Sequence, residues 1–295
     1  MTKFSLIVAT FNRTVELNRL LNSLDQQSYK CFEVIVVDQN LDDRLVPMLQ
    51  KHPELKILHL RSKLGVSRAR NAGLSAADGD LIATPDDDCW YPSGLLANVN
   101  QWFDSHPDYD ALFTGLRNES NQPMLPKWPP PAGPCTKGNV WDCTMASTAF
   151  LSRQIVDAVG GFDENLGLGP ASIFKACEDI DYHIRPLAFG FRMWYEPGLT
   201  VYHPELDSPE RLRSTTYPYA LACGYVMRLH QYSWWFLLRR LLRSLGGAGL
   251  SVVTANMGRA KLYLIRFAGQ FRGYVFGPSY VKRLAQSRST VDDSA

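Results

Sequence analysis

The sequence predicts an α/β protein with a mostly parallel sheet and helices on both of its faces. Short apolar, β-branched runs alternate with stretches of helical period, as they do in crossover units. Two of the runs also deliver carboxylates at their ends. Asp38 follows FEVIVV, and Asp86, Asp87 and Asp88 follow LIAT. In open α/β sheets ligands bind beyond the carboxyl ends of the strands, so these acids are placed to line one crevice.

Taken in order, 4–9 (FSLIVA) reads as a buried strand. Asn12 is a candidate helix cap, and Val15, Leu17, Leu20, Leu21 and Leu24 follow it at helical spacing. Strands are expected at 32–37, 55–60 and 81–84, and an Ala-rich helix at 67–77 closes at Asp78-Gly79. The Pro-rich text 123–138 (PMLPKWPPPAGPCTKG) reads as a loop or a linker between lobes. A strand is expected over 142–150 and a short helix over 152–159, stopped by Gly160-Gly161. A helix over 173–189 carries Glu178 and Asp179, with Pro186 kinking or ending it. Short strands at 192–195 and 199–202 flank Pro197-Gly198.

The 295 residues are 45% hydrophobic and 20% charged, enough to bury a full core. The net charge of +2 hides an asymmetry: 211–291 contains 13 bases and no Asp or Glu, while the rest of the chain carries a formal −11. Such a split is a partner signal, and it divides the chain into 1–210 and a basic, aromatic-rich helical region, 211–295. Six cysteines in no metal-binding spacing read as reduced, mostly buried thiols. The apolar run in MTKFSLIVATFNR is too short for a signal-peptide core or a span, and no window of about 18 apolar residues occurs, so a cytoplasmic location is expected.

Three adjacent carboxylates repel one another at neutral pH. Placed between a buried strand and Cys89-Trp90-Tyr91, they invite a hard divalent cation, Mg²⁺ or Mn²⁺, which takes one or two carboxylates together with substrate phosphates. A solvated acidic turn is the plain alternative.

The motif run VATFNR (8–13), VIVVDQN (34–40), GVSRARNAGLSAADGDLIATPDDD (65–88), GGFDE (160–164) and CEDIDYHIR (177–185) resembles a family 2 glycosyltransferase of the bacterial surface-polysaccharide type. A lone DxD is weak, but five motifs in register are specific. The resemblance implies the GT-A fold, a Rossmann-like sheet followed here by the basic helical region. It implies nucleotide-sugar contacts from Ala9, Thr10, Asn12, Arg13, Asp38, Arg70, Asn71, Asp86 and Asp87. It also implies a metal held by Asp88 and His203, and a catalytic base from Glu178-Asp179, with Asp179 the first choice. Each has a plainer reading: Asp38 as a turn cap, Glu178 and Asp179 as helix-dipole partners, His203 as a structural histidine.

The implied chemistry is an inverting, single-displacement transfer. It needs one base for the acceptor hydroxyl and a stabilised leaving diphosphate, with no covalent nucleophile. The donor expected is a UDP-sugar, with dTDP-rhamnose second, and the acceptor a polysaccharide or lipid-linked glycan. A nucleotidyltransferase is the first rival, but it wants a basic clamp on a triphosphate, and no GxxxxGK[ST] loop is present. A non-catalytic sugar-nucleotide or membrane-binding module is the second, and it would need no base.

In the basic region, 232–245 reads YSWWFLLRRLLRSL. On a helix Trp235, Leu238, Leu242 and Leu245 share a face, with Arg240 and Arg243 off it and Arg239 at its edge. A basic amphipathic helix with Trp suits the inner face of the cell membrane, as a peripheral contact. A homo-oligomer interface is the alternative, and nucleic acid fits poorly because no binding motif accompanies the charge.

Overall fold

The computed structural model describes residues 1–124, 129–170, 172–205 and 209–292, with side chains for all but 209 and 282–292. The Pro-rich text therefore falls partly outside the described residues, at 125–128. So do 293–295 and the side chains of Lys282, Arg283 and Arg288 in the basic region.

Strand β1 (Phe4–Thr10) leads through α1 (Val15–Asp25) to β2 (Phe32–Asp38), and α2 (Val46–Leu49) leads on to β3 (Ile57–Arg61). Helix α3 (Val66–Ala76), β4 (Leu81–Ala83), α4 (Leu95–Ser105) and β5 (Ala111–Arg117) follow. Then come β6 (Gly133–Cys135), α5 (Val140–Cys143), β7 (Ala149–Ser152), α6 (Arg153–Val159), α7 (Glu178–Ala188) and β8 (Met193–Tyr202). Three long helices complete the described chain: α8 (Pro209–Leu229), α9 (Trp234–Val253) and α10 (Met257–Asp292). The chain forms two compact units, Met1–Asp163 with Tyr182–Glu205, and Glu164–Asp181 with Leu206–Ala295.

In the first unit eight strands form one sheet in the order β3-β2-β1-β4-β7-β5-β8-β6. The pairs among β3, β2, β1 and β4 are parallel, as is β5 with β8; β7 runs antiparallel to both its neighbours and β6 to β8. Strands β1 and β2 are buried on both faces, which explains why their sequences are near-continuous apolar runs rather than alternating ones. Helix α1 forms because Leu17, Leu20, Leu21 and Leu24 recur at helical spacing and fall on one face. All four are fully buried, each contributing about 2 kcal/mol relative to exposure. Gly73 of α3 lets that helix lie on β1; a Cβ there would sit 2.2 Å from Ile7 Cγ2.

In the second unit, α8 and α10 meet main chain to main chain. Gly269, Gly273 and Gly277 recur every fourth residue along α10, and a Cβ on Gly273 would lie 2.0 Å from the Leu221 carbonyl oxygen. From the other side, a Cβ on Gly224 would lie 2.2 Å from the Gln270 carbonyl oxygen. Small residues at this spacing let helix backbones approach closely.

Several expectations are corrected. Asn12 does not cap α1: it adopts φ 58, and Thr14 takes the N-cap position without a side-chain bond. The strand expected over 142–150 is instead α5, a 3₁₀ turn at Ala146–Thr148, and β7. Ser152 ends that strand and caps α6, accepting from the Ile155 N–H at 3.4 Å. The helix expected from 173 begins at Glu178, after Cys177 at φ 65, and runs two residues past Pro186. The two strands around Pro197-Gly198 are one, β8, whose register against β5 shifts between Thr114 and Gly115. Strand β6 falls in the Pro-rich text expected to be a loop or linker, and helix α4 and strand β5 carry no distinct signal in the sequence.

Candidate active site

The carboxyl ends of β1, β2 and β4 carry Thr10, Asp38 and the three adjacent aspartates, while Arg70 and Asn71 lie on α3. Thr10 and Asp38 are register partners at the ends of β1 and β2. Beyond β4 the chain turns through Asp86, Asp87 and Asp88, the last two buried. His203, just past β8, is buried beside them. One ligand atom each from Asp86, Asp88 and His203 lies within 4.8 Å of the others. Two carboxylates and an imidazole suit Mg²⁺ through the oxygens and Mn²⁺ through all three.

The histidine's orientation is set from behind. Its Nδ1 lies 2.8 Å from the Pro204 carbonyl oxygen, which fixes that nitrogen as the donor and turns Nε2 toward the acids. Nε2 is 2.9 Å from Asp88 Oδ1, an ion-pair distance, although that buried oxygen accepts no well-directed hydrogen bond. An oxygen so placed fits a cation better than a donor hydrogen.

Arg13 supplies most of the remaining compensation. Its guanidinium reaches Asp87 Oδ1 at 2.7 Å and Asp88 Oδ2 at 2.5 Å. Burial pushes Asp87 up to about 6, and Arg13 offsets that only in part. For Asp88, burial is outweighed by His203 and Arg13, which together hold the carboxyl below its ordinary value. Burial pushes the His203 imidazole down, and Asp88 reverses this so that the net shift is upward. Arg70, buried on α3, donates to Asp86 Oδ1 at 3.1 Å.

Two predicted residues are committed to protein partners. Asp38 is fully buried, and its Oδ1 accepts from the Asn40 N–H at 2.8 Å and from Asn40 Nδ2 at 2.7 Å. His59 Nε2 and Arg61 each approach Asp38 Oδ2 at 3.0 Å. Asn71 pairs with the backbone of Phe162, accepting from its N–H at 2.7 Å and donating to its carbonyl at 3.0 Å. Asn12 donates its N–H to Asn40 Oδ1 at 2.9 Å, and Ala9 lies half-buried in β1. Glu178 and Asp179 open α7 within the second unit, where Asp179 Oδ1 accepts from the Ile180 N–H at 2.8 Å.

Sequence reasoning missed His59 and Arg61, although their spacing of two along β3 places both side chains on one face. It also missed Arg19, which donates to the Asp88 carbonyl at 2.9 Å and lies 4.0 Å over the Trp90 ring. Trp90 in turn stacks on Tyr202, ring centroids 5.6 Å apart. Nothing in the sequence joins residues so far apart.

The family model for glycosyl transferase family 2 matches residues 5–156. The chain belongs to that family. Among its relatives is the uncharacterized glycosyltransferase YwdF of Bacillus subtilis, 27% identical over 170 residues, 56% of this chain and 63% of that protein. Another is a GalNAc(5)-diNAcBac-PP-undecaprenol beta-1,3-glucosyltransferase of Campylobacter jejuni, 38% identical over 106 residues, 34% of each chain. The chain thus spans less than two-thirds of either relative.

Among solved structures, the mannosyltransferase PcManGT of Pyrobaculum calidifontis, in complex with GDP-Man and Mn²⁺, superposes with TM-score 0.64. Its identity is 16%, over 93% of this chain and 87% of that one. S. aureus TarS 1-349 in complex with UDP gives TM-score 0.57 and 20% identity, over 92% and 89%. These likenesses identify the fold of the family 2 chain as GT-A, with its mostly parallel sheet flanked by helices.

Proposed function

We propose that the protein moves a sugar from a nucleoside diphosphate-sugar to a hydroxyl of a glycan or lipid-linked glycan acceptor, by an inverting single displacement. The observation that carries this is the convergence of Asp86, Asp88 and His203 at the carboxyl end of a parallel sheet. Asp88 and His203 would hold Mg²⁺ or Mn²⁺ with Asp86 beside them, and such an ion, when bound, neutralises charge developing on a leaving diphosphate. Thr10, Arg13, Asp38 and Arg70 would contact the nucleotide-sugar, and Arg13 and Arg70 bring the positive charge that phosphates need. The base is Asp179 with Glu178 beside it, taking the proton from the acceptor hydroxyl as that oxygen attacks.

A UDP-sugar is the first choice of donor and a dTDP-rhamnose the second; UDP stands in the TarS structure above. A lipid-linked acceptor is supported by the undecaprenol-linked substrate in the name of the Campylobacter relative. It would put the protein at the inner face of the cell membrane as a peripheral protein. Among the described residues no helix is long and apolar enough to cross one.

Release of nucleoside diphosphate, measured with and without Mn²⁺ over a panel of donors, tests the reading. Metal-dependent turnover is expected, and Asp179→Asn should abolish it while donor binding, followed by thermal shift, survives. Full activity in that variant would remove Asp179 as the base. Turnover indifferent to chelation would remove the metal.

A further inference from the structure

The basic region shows something the sequence alone did not separate. Helix α9 has three sectors rather than two. Leu237, Leu241, Ser244, Ala248 and Ser251 are buried. Leu238, Leu242 and Leu245, with Trp234 and Trp235, lie on the adjoining sector and are exposed; Trp235 is 68% exposed and Leu242 54%. At 3.6 residues per turn this apolar arc spans about 100°. Arg239 and Arg243, both exposed, form the third sector along its edge. Among the described residues, 13 of the 22 large apolar side chains that stand exposed lie between Trp234 and Phe276, so the feature is concentrated rather than scattered.

We propose that this arc of α9 is a docking face for an anionic lipid bilayer, with the helix lying in the plane of the interface. The Trp and Leu side chains would enter the headgroup boundary, and Arg239 and Arg243 would meet lipid phosphates. The charge decides between occupants. Residues 211–291, which hold all of α9 and all but the ends of α8 and α10, carry 13 bases and no acid, so a second copy would bring the same positive surface to the same face. An anionic bilayer offers the complementary charge together with an apolar layer. A helix with Trp and Leu on one sector and arginine beside it, with the length of α9, about 30 Å, is the kind that binds in this way. The inference rests on the reading of a membrane-side acceptor given above and adds the surface that would do the binding.

The test is co-sedimentation of the full chain with vesicles of phosphatidylcholine, with or without about 30 mol% phosphatidylglycerol, at about 0.1 M salt. Strong partition onto the anionic vesicles and weak partition onto the neutral ones is expected. The triple variant Trp235→Ser/Leu238→Ser/Leu242→Ser should lose at least tenfold in partition. The double variant Arg239→Gln/Arg243→Gln should lose about thirtyfold on anionic vesicles and flatten the salt dependence, about a kilocalorie per mole for each base removed. Because the two variants alter different exposed sectors, misfolding of one leaves the other decisive. Equal partition onto both lipid mixtures would overturn the proposal, as would wild-type partition by the triple variant. So would a dimer in the ultracentrifuge that the triple variant loses, without vesicle binding by the wild type. Metal-dependent release of nucleoside diphosphate in solution should persist in both variants, so a failed docking face and a failed glycosyltransferase reading give different results.

Discussion

The Arg13 guanidinium sits 2.5 Å from Asp88 Oδ2 and bridges from there to Asp87. It therefore sets a positive charge on one oxygen of Asp88, while the other, Oδ1, faces His203 in the cluster suited to a cation. Arg13→Gln should tighten Mn²⁺ binding in the absence of nucleotide by about tenfold, because a positive neighbour is removed and two buried acids lose a counter-ion. Calorimetric titration with Mn²⁺ alone reads this directly. Weaker binding in the variant would mean that Arg13 organises the carboxylates for the ion rather than opposing it.

Asn71 gives a second test. Its amide satisfies both polar groups of the Phe162 backbone, and Phe162 is buried. Asn71→Ala should cost about 2 kcal/mol of stability through those unmet groups, read by denaturant unfolding. Lost donor affinity with unchanged stability would instead place Asn71 on the nucleotide, as the family resemblance implies.

His183 of α7 is buried against Phe113, with ring centroids 4.8 Å apart. Burial, with the charges of Arg70 and Arg185, pushes its imidazole down to about 3. The unfolded chain takes a proton near pH 6.5 and the folded chain does not. Stability is therefore lost as pH falls through that window. About 2 kcal/mol should disappear between pH 7 and pH 5. His183→Leu should flatten this part of the profile, and melting curves across the range would show whether it does. An unchanged slope would assign the acid sensitivity to other groups.

Two glycines of the second unit should respond in opposite directions. Gly273→Ala drives a methyl into the Leu221 carbonyl, a backbone atom that cannot step aside, and should cost about 3 kcal/mol. Gly246→Ala meets nothing within 4 Å on α9 and should stabilise by about 0.5–1 kcal/mol. Paired unfolding experiments compare them, and similar effects would show that the main-chain contact between α8 and α10 is looser than described.

What the sequence disclosed follows the range of the forces involved. Strands β1, β2 and β4 and helix α1 were legible because burial on one or both faces imposes a pattern on adjacent residues. The stretch 142–150 was not, because its apolar residues serve a short helix, a turn and a strand in succession, and no single period runs through them. In the acidic site, the residue types were visible but their partners were not. That Asp38 meets His59 and Arg61, and that Pro204 orients His203, are facts of the tertiary fold. The arc containing Trp235 was visible as a face, but its exposure was not, because Leu237 and Leu241 offered an equally good inward side.

Helix α9 turns Ser244, Ala248 and Ser251 inward beside Leu237 and Leu241, and turns its two tryptophans outward. A surface built this way has practical consequences at the bench. In plain buffer, exposed apolar side chains of this kind favour adsorption to plastic. A mild detergent during purification would shield these side chains.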